Sequence, residues 1–248
     1  MSLQIERLES PNHGARKREV SLLVMHYTGM DAAEAAIERL RDPDAGVSAH
    51  YVVCEDGRTV QLVDEDRRAW HAGLGVWAGE RDVNSASIGI EIVNGGHCFG
   101  LPDFPRAQID AVIELSEAIM ARWTIHAAGV IGHSDMAPER KLDPGERFPW
   151  ARLADCGIGV WPDPVKGGRS LKYGPGHGEG EGLAAVQSQL ARIGYGLETG
   201  RTYTPRTRAV VAAFQRRFRP GLVDGLIDAE TEDLIEAVRD LTRRDRMG

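Results

Sequence analysis

Cysteine is scarce in this 248-residue chain: Cys54, Cys98 and Cys156 are odd in number and widely spaced. They do not read as a disulfide framework, and the lack of a Cys-x-x-Cys pair argues against a thiolate zinc site. No apolar run approaches the ~20 residues that a membrane-spanning helix needs, so no membrane insertion is expected. Positive charge is also short. The 30 Lys and Arg stand against 37 Asp and Glu, a net charge of −7, which speaks against nucleic acid as a partner. Met1-Ser-Leu-Gln-Ile-Glu opens the chain without a basic stretch running into an apolar one, so no secretory leader is read and the cytoplasm is the expected compartment. What remains is ordinary globular composition, 42% hydrophobic and 27% charged, with length for one medium domain and a small one.

Val20–Tyr27 is a short apolar run of strand formers with His26 near its end. Asp31-Ala-Ala-Glu34 reads as a capping box for a helix over 32–41, which stops before Pro43. Residues 48–54 and 58–63 flank Asp56-Gly57 as a β-hairpin. Ser87–Val93 alternates as a strand. Pro105 stands at the first position of a helix whose inward face runs from Ile109 to Trp123, followed by a short strand at 129–133 and a short helix over 147–157. Intermixed strands and helices without regular repeats predict an α/β fold, a mixed central β-sheet flanked by helices. Composition changes at Trp161. Residues 162–182 are rich in proline and glycine and read as a linker, and 183–245 carry three short amphipathic helices, a small all-α domain after a first domain of residues 1–161.

Several residues point to chemistry when taken together. His26, His133 and Asp143 are two imidazoles and a carboxylate, a three-ligand set suited to catalytic zinc with a fourth position left for water. They would come from strand ends and a loop, since no His-Glu-x-x-His helix is present. Glu91 interrupts an apolar strand, where a carboxylate is costly unless paired or used. It suits a general base acting on water. Lys141 and Asp143, two apart in an extended segment, share a face, so Lys141 can turn its charge toward a developing oxyanion.

His26-Tyr27-Thr28, Ser48-Ala-His50-Tyr51, Ile88-Gly-Ile-Glu91, Gly132-His133-Ser134-Asp135 and Lys141-Leu-Asp143-Pro144-Gly145 occur in order and resemble the zinc N-acetylmuramoyl-L-alanine amidases of the type related to T7 lysozyme and the peptidoglycan recognition proteins. The resemblance covers about residues 5–162. It implies Zn2+ on His26, His133 and Asp143, water activation by Glu91, and oxyanion stabilisation by Lys141. It implies hydrolysis of the amide between the lactyl group of N-acetylmuramic acid and L-alanine in peptidoglycan or muropeptide fragments. Tyr27, Trp70, His71, Asn84, Arg81 and Ala137 are the candidate substrate contacts. Trp70 and Trp77 serve either to stack on a sugar or to fill the core, and His50 reads as core or support. Many relatives carry Arg two residues before the asparagine. Here that position is Asp82, with Arg81 beside it. The C-terminal segment resembles the three-helix peptidoglycan-binding domain through Phe214-Gln215, Val223-Asp224-Gly225 and Thr231, with Arg216, Arg217 and Arg219 read as a solvated basic face. A wall-binding domain argues for the periplasm or cell envelope as the alternative compartment, and a non-catalytic peptidoglycan receptor is the alternative function.

Overall fold

The computed structural model describes residues 4–247. In chain order the elements are β1 (Ile5–Arg7), β2 (His13–Ala15), β3 (Leu22–Tyr27), α1 (Ala33–Arg41), β4 (Tyr51–Val53), β5 (Thr59–Gln61), β6 (Arg67–Ala69), α2 (Val83–Ala86), β7 (Ser87–Ile92), α3 (Arg106–Trp123), β8 (Val130–Gly132), α4 (His133–Met136), α5 (Trp150–Ala154), β9 (Leu171–Tyr173), α6 (Glu181–Ile193), α7 (Pro205–Phe218), β10 (Ile227–Asp228) and α8 (Ala229–Asp245). The central sheet has the order β1-β5-β4-β7-β3-β8. Only the β4–β5 hairpin is antiparallel within it, so the sheet is mixed.

Alternation along β3 and β7 sorts their side chains onto two faces. Leu23, Met25, Ile88, Ile90 and Ile92 pack beneath α3 against Ile109, Val112, Leu115 and Ile119. Leu22, Val24 and His26 take the opposite face together with Ser87, Gly89 and Glu91, and in the parallel register His26 stands directly beside Glu91. Glu65 fastens the end of α3 to the sheet by accepting from Tyr51 Oη (2.7 Å), Arg122 Nε (2.8 Å) and Trp123 Nε1 (2.6 Å).

Helices α6, α7 and α8 pack around Leu183, Val186, Leu190, Val210, Phe214, Ile235 and Val238. Their core continues into the sheet layer through Tyr195, Phe214 and Phe218, which join Trp77, Leu22, Val24, Ile131 and Met136 in one cluster. Trp77 is therefore core, edge-on to Tyr195 with ring centroids 5.0 Å apart.

Local details depart from the sequence reading. Ala32, not Asp31, caps α1, and its methyl side chain makes no hydrogen bond there. Pro105 stands just outside α3 with extended ψ, and α5 is confined to 150–154. Within the segment read as a linker, Leu171–Tyr173 pairs antiparallel with Ile227–Asp228. The basic face is not solvated. Arg217 and Arg219 are buried, Arg219 on Asp228 at 2.6 Å, and Arg216 is nearly so. Among the described residues no helix is long and apolar enough to cross a membrane.

Candidate metal centre

The site lies at the carboxyl ends of the parallel strands β3, β7 and β8, where open α/β sheets generally place ligands. β3 delivers His26, β7 delivers Glu91, and His133 follows β8 as the first residue of α4. Asp143 arrives from the loop beyond α4, and its carbonyl accepts the Ser134 amide at 2.9 Å. His26 Nδ1 and His133 Nδ1 are 2.9 Å apart, and each is 3.0 Å from Asp143 Oδ2. All three residues are buried.

The surrounding hydrogen bonds assign the tautomers. Ser87 donates its hydroxyl to Val83 O at 2.5 Å, so its oxygen accepts from His71 Nε2–H at 3.2 Å. That leaves His71 Nδ1 bare to accept from His26 Nε2–H at 3.0 Å, and His26 Nδ1 bare in turn. His133 Nε2–H donates to Ala72 O at 2.9 Å, so in the neutral ring its Nδ1 is bare as well. Burial, with His133 next to it, drives the His26 imidazole down to about 4, so it stays neutral. Two lone pairs and a carboxylate oxygen thus converge with no proton to share. Such an arrangement suits a cation, and imidazoles anchored through their far nitrogen are the usual form of metal ligands.

The row Ser87, Gly89, Glu91 on β7 explains how His71 fits. Ser87 accepts from its ring, and a Cβ on Gly89 would sit 2.5 Å from that ring. Asn84 Oδ1 accepts the His71 and Ala72 amides at 3.0 and 2.8 Å, holding the loop that carries both. His50 is fixed one layer further back. Its Nδ1 accepts the Gly89 amide at 2.9 Å and its Nε2–H donates to Arg67 O at 3.1 Å.

A cavity of about 440 Å³ opens onto this centre, lined by Tyr27, Trp70, His71, Glu91, His133, Lys141 and Asp143. Among the described residues Glu91 Oε2 is buried without a hydrogen-bond partner. Burial, then the Asp143 charge, pushes its carboxyl well above the usual range, while Lys141 pulls the other way. A lone carboxyl of that kind beside a cation site is a proton carrier in waiting. The Tyr27 hydroxyl meets His97 Nδ1 at 3.0 Å, and His97 Nε2 meets Glu146 Oε2 at 3.0 Å, with Arg216 of α7 3.7 Å beyond.

The candidate substrate contacts divide. Tyr27 and Trp70 line the metal cavity. His71 reaches its wall, but both ring nitrogens are engaged with His26 and Ser87. Asn84 serves the loop from behind. Arg81 and Ala137 line a second cavity, about 1210 Å³, between the sheet layer and the C-terminal helices. His97 and Glu146 were not legible in advance, and Asp135 stood out only as part of Gly132-His133-Ser134-Asp135, without a role of its own. They lie in loops or on one turn of helix, and no periodicity marks them.

Comparison with known proteins agrees with this geometry. The profile of the N-acetylmuramoyl-L-alanine amidase family matches residues 16–146, and that of a peptidoglycan binding domain matches 179–235. The N-acetylmuramoyl-L-alanine amidase AmiD of Escherichia coli strain K12 is 40% identical over 232 residues, 88% of this chain and 82% of the relative. Among solved structures, the chain resembles E. coli AmiD in complex with the substrate anhydro-N-acetylmuramic acid-L-Ala-D-gamma-Glu-L-Lys, with a TM-score of 0.77, 36% identity and 92% coverage of both chains. It also resembles AmpDh3 of Pseudomonas aeruginosa in complex with anhydromuramic pentapeptide, with a TM-score of 0.78, 33% identity and 95% coverage of both.

Proposed function

This chain belongs to the N-acetylmuramoyl-L-alanine amidase family, and from that premise we propose how its residues divide the work. It is a cell-wall amidase of peptidoglycan recycling, acting on muropeptides at the amide between the lactyl group of N-acetylmuramic acid and L-alanine. His26, His133 and Asp143 hold zinc. The observation that carries this reading is the triangle of bare Nδ1, Nδ1 and Oδ2 atoms with sides near 3 Å. Zinc bound by these residues supplies Lewis-acid polarisation of the scissile carbonyl and acidifies water in the cavity.

Glu91 takes the proton from the attacking water and returns it to the amine of L-alanine as that group leaves. Its place beside His26 in the register and its unpartnered Oε2 support this role. The Lys141 ammonium offsets negative charge developing on the lactyl carbonyl oxygen. Tyr27, steadied by His97, and Trp70 bound the substrate on the cavity wall. The C-terminal helices bind wall polymer, which favours the cell envelope over the cytoplasm as the place of action.

The test is a digest of disaccharide-tetrapeptide, in anhydro and reduced forms, read by mass spectrometry. Zinc-loaded protein is expected to release free tetrapeptide and free disaccharide, and chelated protein or Glu91→Ala is expected to release neither while remaining folded. Intact substrate after incubation with the zinc-loaded wild type would sink the reading.

A further inference from the structure

We propose that Arg217 and Tyr195, both from the C-terminal segment, are positioning residues for the metal centre, acting through Asp135 on the backbone that carries His133. The proposal rests on the reading of His26, His133 and Asp143 as a zinc site. Asp135 lies two residues past His133 and is almost wholly buried. One of its carboxylate oxygens, Oδ2, accepts the amide of Gly132, the residue before His133, at 2.8 Å. The same oxygen takes Arg217 Nη1 at 2.9 Å, and Oδ1 takes the Tyr195 hydroxyl at 2.8 Å. Arg217 and Tyr195 are themselves 5% and 2% exposed, so water does not substitute for either.

Gly132 is closely packed as well. The Arg217 guanidinium stacks 4.0 Å from the centre of the Trp150 ring, and a Cβ on Gly132 would lie 2.8 Å from Pro144 Cδ and 3.4 Å from Trp150 Cζ2. Arg217 therefore bonds the carboxylate that holds the Gly132 amide and braces the indole that packs against it. The His133 ring is fixed at its far end by Ala72 O, so the remaining freedom of its Nδ1 lies in the backbone that Asp135 anchors. Withdrawing Arg217 leaves a buried carboxylate without its countercharge, a state that proteins relieve by moving the group. That movement shifts the Gly132–His133 peptide, and metal geometry tolerates only a few tenths of an ångström.

The experiment uses the full chain and reads zinc affinity by competition with a chelator, the visible absorption of the cobalt-substituted protein, and melting of the metal-free form. Arg217→Met, folded at the assay temperature, is expected to lose zinc affinity by about tenfold, as supporting-shell changes do, and to alter the cobalt spectrum. Tyr195→Phe keeps the ring against Trp77 and removes only the hydroxyl, with a loss of about threefold. Arg217→Lys, which retains the charge, falls between wild type and Arg217→Met. Arg219→Met is the control: Arg219 is equally buried and paired with Asp228, within the C-terminal helices. It should lower melting yet keep wild-type zinc affinity and spectrum. A merely structural Arg217 would behave like Arg219. Wild-type zinc affinity and cobalt spectrum in folded Arg217→Met and in Tyr195→Phe would overturn the proposal, and Tyr195→Phe alone decides it if Arg217→Met fails to fold. If the wild type binds no zinc, or if binding survives His133→Ala, it is the zinc site itself that falls.

Discussion

The two faces of the central sheet are made from the same strands and answer opposite demands. Beneath α3, β3 and β7 present Leu23, Met25, Ile88, Ile90 and Ile92, all fully buried. One residue along in each case, the same strands present His26, Ser87, Gly89 and Glu91. The first face is close-packed hydrocarbon and gives the fold its stability. The second spends that stability on buried groups that want water or a cation. The strands tolerate the second face because the first is complete, and the period of two keeps the two sets apart.

The comparison breaks most visibly at Glu91. Glu91→Gln keeps the shape and removes the proton carrier, so turnover on muropeptide should fall by about 10²–10⁴-fold. Thermal melting should hold steady or rise, because a buried carboxyl without a partner has been removed. A comparable loss of melting temperature would mean that Glu91 belongs to the structural face.

Ile90 is the opposite case. It neighbours Glu91 and points the other way. Ile90→Ala should cost about 2–5 kcal/mol in denaturant unfolding while the folded fraction keeps its specific activity.

Acid should find the polar face first. Burial, with Arg16 alongside, pushes the His50 imidazole down to about 3. As pH falls through 6.5 the unfolded chain takes a proton there and the folded chain does not. Stability is therefore full above that pH and drains below it, by about 1.4 kcal/mol per pH unit from this group. In metal-free protein, urea midpoints at pH 7 and pH 5 should differ less in His50→Gln than in the wild type. An unchanged slope would show that His50 is not kept neutral.

The smallest effect expected is at Gly89, where the missing side chain makes room for His71. Gly89→Ala should displace that ring, free His26 Nε2 and weaken zinc by roughly tenfold, with a lesser effect on melting. Chelator competition against wild type measures it.

How much of this was readable without coordinates follows the same division. Periodicity revealed β3, β4, β5, β7, β8 and α3 but not the short strands β1, β2 and β6. Glu91 stood out because a carboxylate is expensive inside an apolar strand, whereas His26, His133 and Asp143 stood out only as a set. The structure brings their atoms together. The supporting layer was not readable. His71 looks like a groove residue until Ser87 and Gly89 are seen beneath it, and Arg217 looks like one of three solvated arginines until Asp135 is seen opposite. Such partners are set by tertiary contact between positions 16 to 82 residues apart, and no local pattern encodes them. The strand at 171–173 was hidden for a related reason: its partner lies some 55 residues downstream and its flanks are rich in glycine.

The last helix, α8, ends against the turn that precedes β8. Asp245 accepts the amides of Ala127 and Ala128 at 3.3 and 2.7 Å, on the turn that leads into β8. During synthesis these two amides have no such partner until residue 245 has been made. The strand that delivers His133 acquires its final anchor from residues made more than a hundred codons later, so a chain released early leaves that anchor unmade.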